Sequence, residues 1–171
     1  MTLVPEYYFK TFDEATVDFL SSLGVKGIIL DIDNTLVTHD TPVPPKDILD
    51  YFDALEKKGI KIAIVSNNHA PRVDGFCKGL GYPYIARAWK PFKKNLCAIR
   101  DKLGLKSEEV CLVGDQIFTD IYGANRMGFY SVLVTAVGKN ETNLVAIKRC
   151  FEKLVLKEYR KSLKKQTKHT K

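Results

Sequence analysis

The sequence predicts an α/β domain built on a parallel sheet, and three observations support this fold class. Five short apolar runs rich in Val and Ile recur along the chain, and helical patterns lie between them. Continuous apolar runs of this length are typical of strands that are covered on both faces. Most of the runs lead directly into polar or glycine residues. The alternation of strand and helix therefore favours a parallel sheet with helices on both faces.

The predicted elements follow one another in a regular order. The five strands occupy residues 27–30, 61–65, 84–86, 110–113 and 130–134. Before the first strand, Thr11 and Glu14 have the spacing of a capping box, which predicts a helix that is closed by Gly24. Four further helices with glycine stops are predicted from Ile48 to Gly59 and over residues 70–80, 92–103 and 118–127.

Length and composition agree with one globular domain over residues 1–171. The chain is 45% hydrophobic and 27% charged, which excludes a disordered chain, a collagen-like chain and a coiled coil. No apolar run approaches the roughly 20 residues of a membrane span, and the amino terminus does not have the pattern of a secretory signal. The four cysteines form no Cys-x-x-Cys pair. We therefore expect a cytoplasmic protein with reduced thiols.

Positive charge is concentrated at the carboxyl terminus. The net charge is +7, and residues 141–171 hold ten Lys or Arg and three Glu, so the rest of the chain balances to zero. Apolar side chains recur there every three or four residues, at Leu144, Ile147, Phe151, Val155 and Tyr159. This spacing predicts an amphipathic helix over 143–165 with a basic outer face, followed by a basic tail over 166–171. The basic face either lies in solvent or contacts an anionic membrane surface. Nucleic acid is the less favoured partner, because no RNA-binding module is visible.

Polar side chains follow four of the predicted strands. They are Asp31 and Asp33 after the first strand, Ser66 and Asn67 after the second, Lys90 after the third and Asp115 after the fourth. Right-handed crossovers bring the carboxyl ends of parallel strands to one edge of the sheet, where ligands bind. We therefore expect these side chains to lie together.

The residue types at this edge indicate phosphate chemistry. Asp31 and Asp33 are two apart in an extended segment, so their side chains point to the same side and repel each other unless a proton or cation intervenes. A hard divalent cation prefers such oxygen ligands, and Asp115 could complete the set. Ser66 can donate to an anionic oxygen, and Lys90 supplies a fixed positive charge. Phosphoryl transfer requires these parts.

The order Asp-x-Asp-x-Thr, Ser, Lys and Gly-Asp-x-x-x-x-Asp resembles the four motifs of the haloacid dehalogenase (HAD) superfamily of phosphatases. The motifs are residues 31–35, Ser66, Lys90 and residues 114–120. The residues in and around these motifs are similar to those of the YqeG-type branch of subclass IIIA, which is akin to the phosphatidylglycerophosphate phosphatases of mitochondria and plastids. The resemblance implies a three-layer Rossmann-like HAD fold with a five-stranded parallel sheet. The gaps between motifs, about 30 residues and then 24, are too short for an inserted cap domain.

The resemblance also implies roles for individual residues. Asp31 would be the nucleophile that forms an aspartyl-phosphate, and Asp33 would be the general acid and base. Lys90 would pair with the nucleophile and the phosphate. Ser66 would bind the phosphoryl group, and Thr35 would hold the loop that orients Asp33.

Four metal ligands and one further substrate contact complete the expected site. Mg²⁺ would be held by Asp31, Asp115 and the backbone carbonyl of Asp33. Asp120 would either bind the metal or cap the following helix. Asn67 would line the substrate site or join two loops. Trp89, next to Lys90, is more consistent with packing than with stacking on a substrate.

These expectations predict a Mg²⁺-dependent phosphomonoester hydrolase without a cap. An open site suits a substrate presented on a surface, and the family resemblance favours the lipid head group of phosphatidylglycerophosphate. Two alternatives stay open. One is a soluble phosphatase of nucleotides or sugar phosphates, and the other is a phosphatase-like protein that binds RNA or an assembly factor.

Overall fold

A computed structural model of the chain describes residues 3–138 and residue 157. The described part contains one parallel sheet of six strands in the order β1-β6-β5-β2-β3-β4. The strands are β1 Tyr7–Phe9, β2 Gly27–Leu30, β3 Lys61–Val65, β4 Tyr84–Ile85, β5 Val110–Gly114 and β6 Tyr130–Val134. Because all pairs are parallel, every strand ends at the same side of the sheet, which we call the carboxyl edge. The opposite side is the amino edge.

Helices cover both faces of the sheet. They are α1 Val17–Ser22, α2 Lys46–Lys57, α3 Ala70–Cys77, α4 Lys93–Leu103 and α5 Tyr122–Met127, and a π-helical turn at Ile117–Ile121 leads into α5. The residues of β2 alternate between two apolar cores, because Ile28 and Leu30 pack with α2 and α3 while Ile29 packs with α4 and α5. The predicted three-layer fold is therefore confirmed.

The sheet has six strands rather than the predicted five. The missed strand, β1, is a three-residue edge strand that pairs with β6. Its residues are aromatic and only partly buried, so it lacks the continuous Val and Ile run by which the central strands are recognised. The error therefore concerns the edge of the sheet and leaves the site-bearing strands unchanged.

The predicted start of the first helix was also wrong. The side chain of Thr11 makes no capping hydrogen bond, and the residues after it form a short 3₁₀ turn at Phe12–Glu14. The helix begins instead at Val17, where the Thr16 hydroxyl accepts a hydrogen bond from the Phe19 N–H at 3.2 Å. Burial of the Phe12 ring competes with a longer helix at this point.

The segments between the predicted motifs hold no additional domain. Residues 35–66 contain only α2 and β3 as regular elements, and residues 66–90 contain only α3 and β4. The prediction of a capless fold is thus confirmed. Apart from residue 157, the predicted basic helix at 143–165 and the tail at 166–171 lie outside the described residues, and the single domain over 1–171 stays a prediction. Within the described part, no helix has the length and apolarity needed to cross a bilayer.

Candidate active site

A buried lysine joins two carboxylates at the carboxyl edge. Asp31 continues β2 by donating its N–H to the Val113 carbonyl at 3.1 Å. The Nζ of Lys90 lies 2.6 Å from Oδ1 of Asp31 and 2.6 Å from Oδ1 of Asp120. It also donates to the Val65 carbonyl at 3.0 Å. All three charged side chains are buried, so solvent screens their interactions little.

The backbone of Lys90 is fixed by Asn67. The Lys90 N–H donates to Oδ1 of Asn67 at 2.7 Å, and Nδ2 of Asn67 donates to the Lys90 carbonyl at 3.2 Å. This pairing occupies both ends of the Asn67 amide and joins the loops after β3 and β4. The structure thus has Asn67 in the loop-joining arrangement, and direct contact with substrate stays a prediction.

Three carboxylates form an acidic cluster beside Lys90. One oxygen each from Asp31, Asp115 and Asp120 can be chosen so that all lie within 4.8 Å of one another. The Thr35 hydroxyl lies 3.2 Å from Oδ1 of Asp115 and 3.4 Å from Oδ2 of Asp31. Thr35 therefore contacts the cluster itself, and its expected role in holding the loop that orients Asp33 stays a prediction.

Burial shifts the titration of this cluster. Desolvation raises the pKa of Asp115 to about 8, and the neighbouring charges of Asp31 and Asp120 add to the rise. Desolvation also raises the pKa of Asp31 to about 6, although the Lys90 charge opposes it. Burial alone would lower the pKa of Lys90, but the carboxylates of Asp120 and Asp31 outweigh it and raise that pKa. When all three carboxyl groups are ionised they share one ammonium, and a divalent cation would then bring the local charge to zero.

The carboxylate of Asp33 occupies a different environment from that of Asp31. Its Oδ1 accepts hydrogen bonds from Nε and Nη2 of Arg72, at 3.2 and 3.1 Å. Its Oδ2 accepts from Nδ2 of Asn68 at 2.9 Å, and the ring Nδ1 of His39 lies 3.5 Å from Oδ1. Asp33 is therefore held apart from the acidic cluster by two basic side chains and an amide.

Sequence reasoning missed Arg72. Its side chain is only 9% exposed, and its guanidinium lies 5.3 Å from the centre of the Phe76 ring. A signal was available, because Arg72 lies in the first turn of α3, where the helix dipole disfavours a cation. The pairing with the Asp33 carboxylate explains why a cation is found in this turn.

Ser66 is buried at the end of β3. Its Oγ accepts a hydrogen bond from the Asn68 N–H at 3.1 Å, while α3 begins only at Ala70. The hydroxyl keeps its own proton for another acceptor. A cavity of about 180 Å³ opens beside it, lined by Asp31, Asp33, Asn34, Ser66, Asn67, Asn68, Lys90, Gln116 and Thr119.

The two carboxylate oxygens of Asp120 have different partners, and its expected role as a metal ligand stays a prediction. Its Oδ2 accepts the Gln116 N–H at 3.0 Å and so caps the π-helical turn, while its Oδ1 pairs with Lys90. Gly114 makes this possible, because a Cβ at that position would overlap the Asp120 side chain. The glycine of the Gly-Asp motif is thus a requirement of close packing.

The packing interpretation of Trp89 was wrong. Its side chain is 68% exposed, and its backbone is left-handed with a φ of 54°. The cysteines of the described part, Cys77, Cys97 and Cys111, are free.

A parallel α/β fold whose carboxyl edge holds a buried carboxylate-and-lysine pair beside an acidic cluster has the parts of a phosphoryl-transfer enzyme. The comparisons with known proteins identify the class more closely. The sequence profile of haloacid dehalogenase-like hydrolases matches residues 38–128, and that of mitochondrial PGP phosphatases matches residues 1–74.

Two relatives extend over most of the chain. The probable phosphatase YqeG of Bacillus subtilis is 36% identical over 153 residues, which cover 90% of this chain and 89% of that protein. The mitochondrial phosphatidylglycerophosphatase GEP4 of Saccharomyces cerevisiae is 31% identical over 144 residues, covering 76% of each. The chain belongs to the haloacid dehalogenase-like hydrolase family, and it is a phosphoric monoester hydrolase akin to the phosphatidylglycerophosphate phosphatases.

Solved structures support the fold. The cobalt-bound deoxy-D-mannose-octulosonate 8-phosphate phosphatase of Haemophilus influenzae has a TM-score of 0.52 at 17% identity, covering 82% of this chain and 92% of that one. A HAD phosphatase from Thermococcus onnurineus also has a TM-score of 0.52 at 17% identity, covering 70% and 90%. At this identity the likeness concerns the fold alone.

Proposed function

We propose that the protein hydrolyses phosphomonoesters through an aspartyl-phosphate on Asp31, with Mg²⁺, and that its substrate is phosphatidylglycerophosphate. One observation carries the mechanism. Two carboxylates, two residues apart, are held in different environments, because Asp31 pairs with the buried Lys90 while Asp33 pairs with Arg72 and Asn68. Separate environments allow a nucleophile and a general acid to coexist in one site.

The first step transfers the phosphoryl group to the protein. A carboxylate oxygen of Asp31 attacks phosphorus, the bond from phosphorus to the ester oxygen breaks, and Asp33 gives a proton to the departing alkoxide. Lys90 neutralises charge on the nucleophile and the phosphoryl oxygens, and the Ser66 hydroxyl donates to one of those oxygens.

The second step restores the enzyme. Asp33, now a carboxylate, takes a proton from a water molecule that attacks phosphorus. The bond between phosphorus and the Asp31 oxygen breaks, which releases inorganic phosphate and returns both carboxyl groups to their starting forms. Asp33 therefore acts as acid and then as base.

The acidic cluster supplies suitable ligands for Mg²⁺. Carboxylate oxygens are the donors that this hard cation prefers, and the excess negative charge around Lys90 favours a divalent ion. We assign the ion to Asp31, Asp115 and the backbone carbonyl of Asp33, with Asp120 completing the acidic set. When bound, Mg²⁺ would neutralise charge that develops on the transferring phosphoryl group.

The lipid assignment has two supports. The yeast relative is named as a phosphatidylglycerophosphatase, and the matched profile is that of the mitochondrial enzymes. The site cavity also lies at an edge of the sheet without an inserted cap, so a phosphate anchored in a surface can reach it. A soluble phosphatase and an RNA-binding protein are the competing assignments.

The test is phosphate release from phosphatidylglycerophosphate in mixed micelles and from soluble phosphomonoesters, with and without Mg²⁺. We expect a strong preference for the lipid, and a loss of about 10³-fold or more in kcat for Asp31→Asn. Asp53→Asn is the matched control, because the same chemical change falls on the exposed face of α2.

Each other result changes a definite part of the proposal. Turnover of soluble esters alone would support the mechanism and contradict the assignment of a lipid substrate. Full activity in Asp31→Asn would contradict the mechanism. Absence of all turnover, together with salt-sensitive RNA binding that survives Asp31→Asn, would favour the binding protein.

A further inference from the structure

Exposed apolar side chains are distributed unevenly over the molecule. In the part of the chain that the structure describes, the large exposed hydrophobic side chains are Val43, Leu49, Trp89, Phe92 and Val137. Trp89 and Phe92 follow the carboxyl end of β4 within seven residues, and Val137 follows that of β6 within three. Val43 and Leu49 lie farther along the chain, 13 and 19 residues after β2. Three of the five side chains therefore lie close in sequence to the edge that carries the candidate active site.

The two most exposed aromatic rings belong to the turn that delivers Lys90. The Phe92 N–H donates to the Trp89 carbonyl at 2.9 Å, which closes a four-residue turn. Inside this turn Lys90 is buried against Asp31, while Trp89 and Phe92 are 68% and 63% exposed. One short turn thus presents a buried cation to the site and two aromatic side chains to the exterior.

Neither packing nor backbone preference explains a tryptophan at this position. The φ of Trp89 is 54°, a region that disfavours bulky side chains and favours Gly or Asn. The ring gains little burial in return. Strained residues of this kind are associated with binding and catalytic sites, so the exposed ring calls for a ligand outside the domain.

The charges around the turn are positive. Arg87, Lys93 and Lys94 are exposed, and the two lysines open α4, whose first turn contains no acidic residue. The helix dipole disfavours cations at this end. An anionic surface would be attracted both by these side chains and by the helix amino terminus.

We propose that Trp89 and Phe92 insert into the interfacial region of an anionic lipid bilayer, with Arg87, Lys93 and Lys94 against the head groups. Aromatic rings prefer the level of the head groups, and basic side chains add electrostatic attraction to acidic lipids. This inference rests on the proposed function and deepens it. Insertion of the turn brings head-group phosphate to the side of the molecule on which Lys90 meets Asp31.

Trp89 itself provides the measurement, because it is the only tryptophan of the chain. Its fluorescence is recorded in the full-length protein with phosphatidylglycerol vesicles and with phosphatidylcholine vesicles. Phosphatidylglycerol has no phosphomonoester, so insertion is measured without turnover. We expect a shift to shorter wavelength with the anionic vesicles, and quenching by lipids that carry bromine on the acyl chains. Unchanged emission with anionic vesicles would overturn the proposal.

Vesicle co-sedimentation of variants separates this turn from the basic carboxyl terminus. We expect Trp89→Asn/Phe92→Gln and Lys93→Glu/Lys94→Glu each to weaken binding at least tenfold, and Asn suits the left-handed backbone. Lys58→Glu/Lys78→Glu is the matched control, since it makes the same charge change on exposed residues at the ends of α2 and α3. We expect the control to bind like wild type. Binding that is equal in all variants would overturn the proposal by assigning attachment to another region.

The lipid phosphatase assay in detergent micelles remains a separate test. Hydrolysis of the lipid in micelles without insertion into vesicles would overturn the membrane-insertion proposal and leave the proposed function intact. Insertion without hydrolysis would support membrane insertion and contradict the proposed function. Circular dichroism and thermal unfolding establish that each variant is folded.

Discussion

The two edges of the sheet differ in where their charges lie. At the carboxyl edge, Asp31, Lys90 and Asp120 are buried together. At the amino edge there is a larger cavity, about 410 Å³ against 180 Å³ for the site. Its polar contacts are ordinary, such as the Lys61 ammonium that donates to the Leu103 carbonyl at 2.6 Å.

This contrast shows that cavity size does not locate the chemistry. Of the buried polar side chains in the described part, five lie at the carboxyl edge, namely Asp31, Thr35, Ser66, Lys90 and Asp120, and the sixth, Ser131, lies within β6. Burial of charge is costly and persists where it is compensated. The smaller cavity is therefore the candidate active site, because its lining contains the charges that folding alone would leave in water.

Replacement of a lysine at each edge should give the largest difference. Lys90→Met leaves two buried carboxylates without their cation, so we expect loss of activity and a fall of about 3–5 kcal/mol in the free energy of unfolding. Lys61→Met removes one hydrogen bond of a solvent-exposed residue and should cost about 1 kcal/mol without loss of activity. Urea unfolding and phosphate release measure both. Equal effects on stability would contradict the assignment of a buried charge network.

Between about pH 4 and pH 8, titration should affect chiefly the carboxyl edge. The folded-state pKa values of Asp115 and Asp31, about 8 and about 6, exceed the ordinary value of 3.8, so the folded state holds protons that the unfolded state has released. Without divalent metal, the bound protons stabilise the folded state fully below about pH 4. This stabilisation is lost as the pH rises toward 8, and the free energy of unfolding falls by on the order of a few kcal/mol.

Metal should reverse this loss. Mg²⁺ should raise the unfolding temperature more at pH 8 than at pH 5, because protons compete with it for the same oxygens. Asp115→Asn should reduce both the pH dependence and the stabilisation by metal. Thermal unfolding in chelator and in Mg²⁺ gives the comparison, and an equal Mg²⁺ effect at both pH values would contradict it.

Arginine substitutions should separate positioning from surface pairing. Arg72→Gln replaces the charged guanidinium, which donates twice to Asp33, by a shorter neutral amide. We expect kcat to fall about 10- to 100-fold with little change in KM, because small misplacements of a catalytic group cost this much. Arg100→Gln disrupts an exposed contact with Asp101 and should change stability by less than about 1 kcal/mol. Steady-state kinetics of both variants test this. A change confined to KM in Arg72→Gln would assign Arg72 to substrate binding.

Glycine substitutions should produce the smallest effects and should divide activity from stability. A Cβ in Gly114→Ala displaces Asp120 and, through it, Lys90, so we expect activity to fall about tenfold. Gly59 has a φ of 75° at the amino edge, with open space around it, so Gly59→Ala should lose about 1–2 kcal/mol of stability and keep its activity. Kinetics and unfolding of the pair test this division, which fails if Gly114→Ala retains full activity.

The sequence was most informative where the pattern depends on local spacing. The Val and Ile runs identified β2, β3, β5 and β6 because central strands are buried on both faces, and the strand ends then identified Asp31, Ser66 and Lys90 as neighbours. β1 could not be found in this way, since its pairing depends on β6 more than 120 residues later.

Long-range contacts explain the errors at the site. Arg72 reaches Asp33 across 39 positions, so its role depends on the packing of α3. Trp89 was interpreted as a packed residue, in line with the high average burial of tryptophan. The Trp89 ring is exposed because of the conformation of the turn that contains Lys90. Hydrophobicity alone does not predict that conformation.

The most direct test of the central claim is to find the phosphate on Asp31. The protein is mixed briefly with labelled phosphatidylglycerophosphate and Mg²⁺, quenched in acid and digested, and the labelled peptide is identified by mass spectrometry. The mechanism predicts label on the peptide that contains Asp31 in wild type and in Asp53→Asn, and no label in Asp31→Asn. Turnover with the label on another residue, or with equal label in Asp31→Asn, would contradict the account.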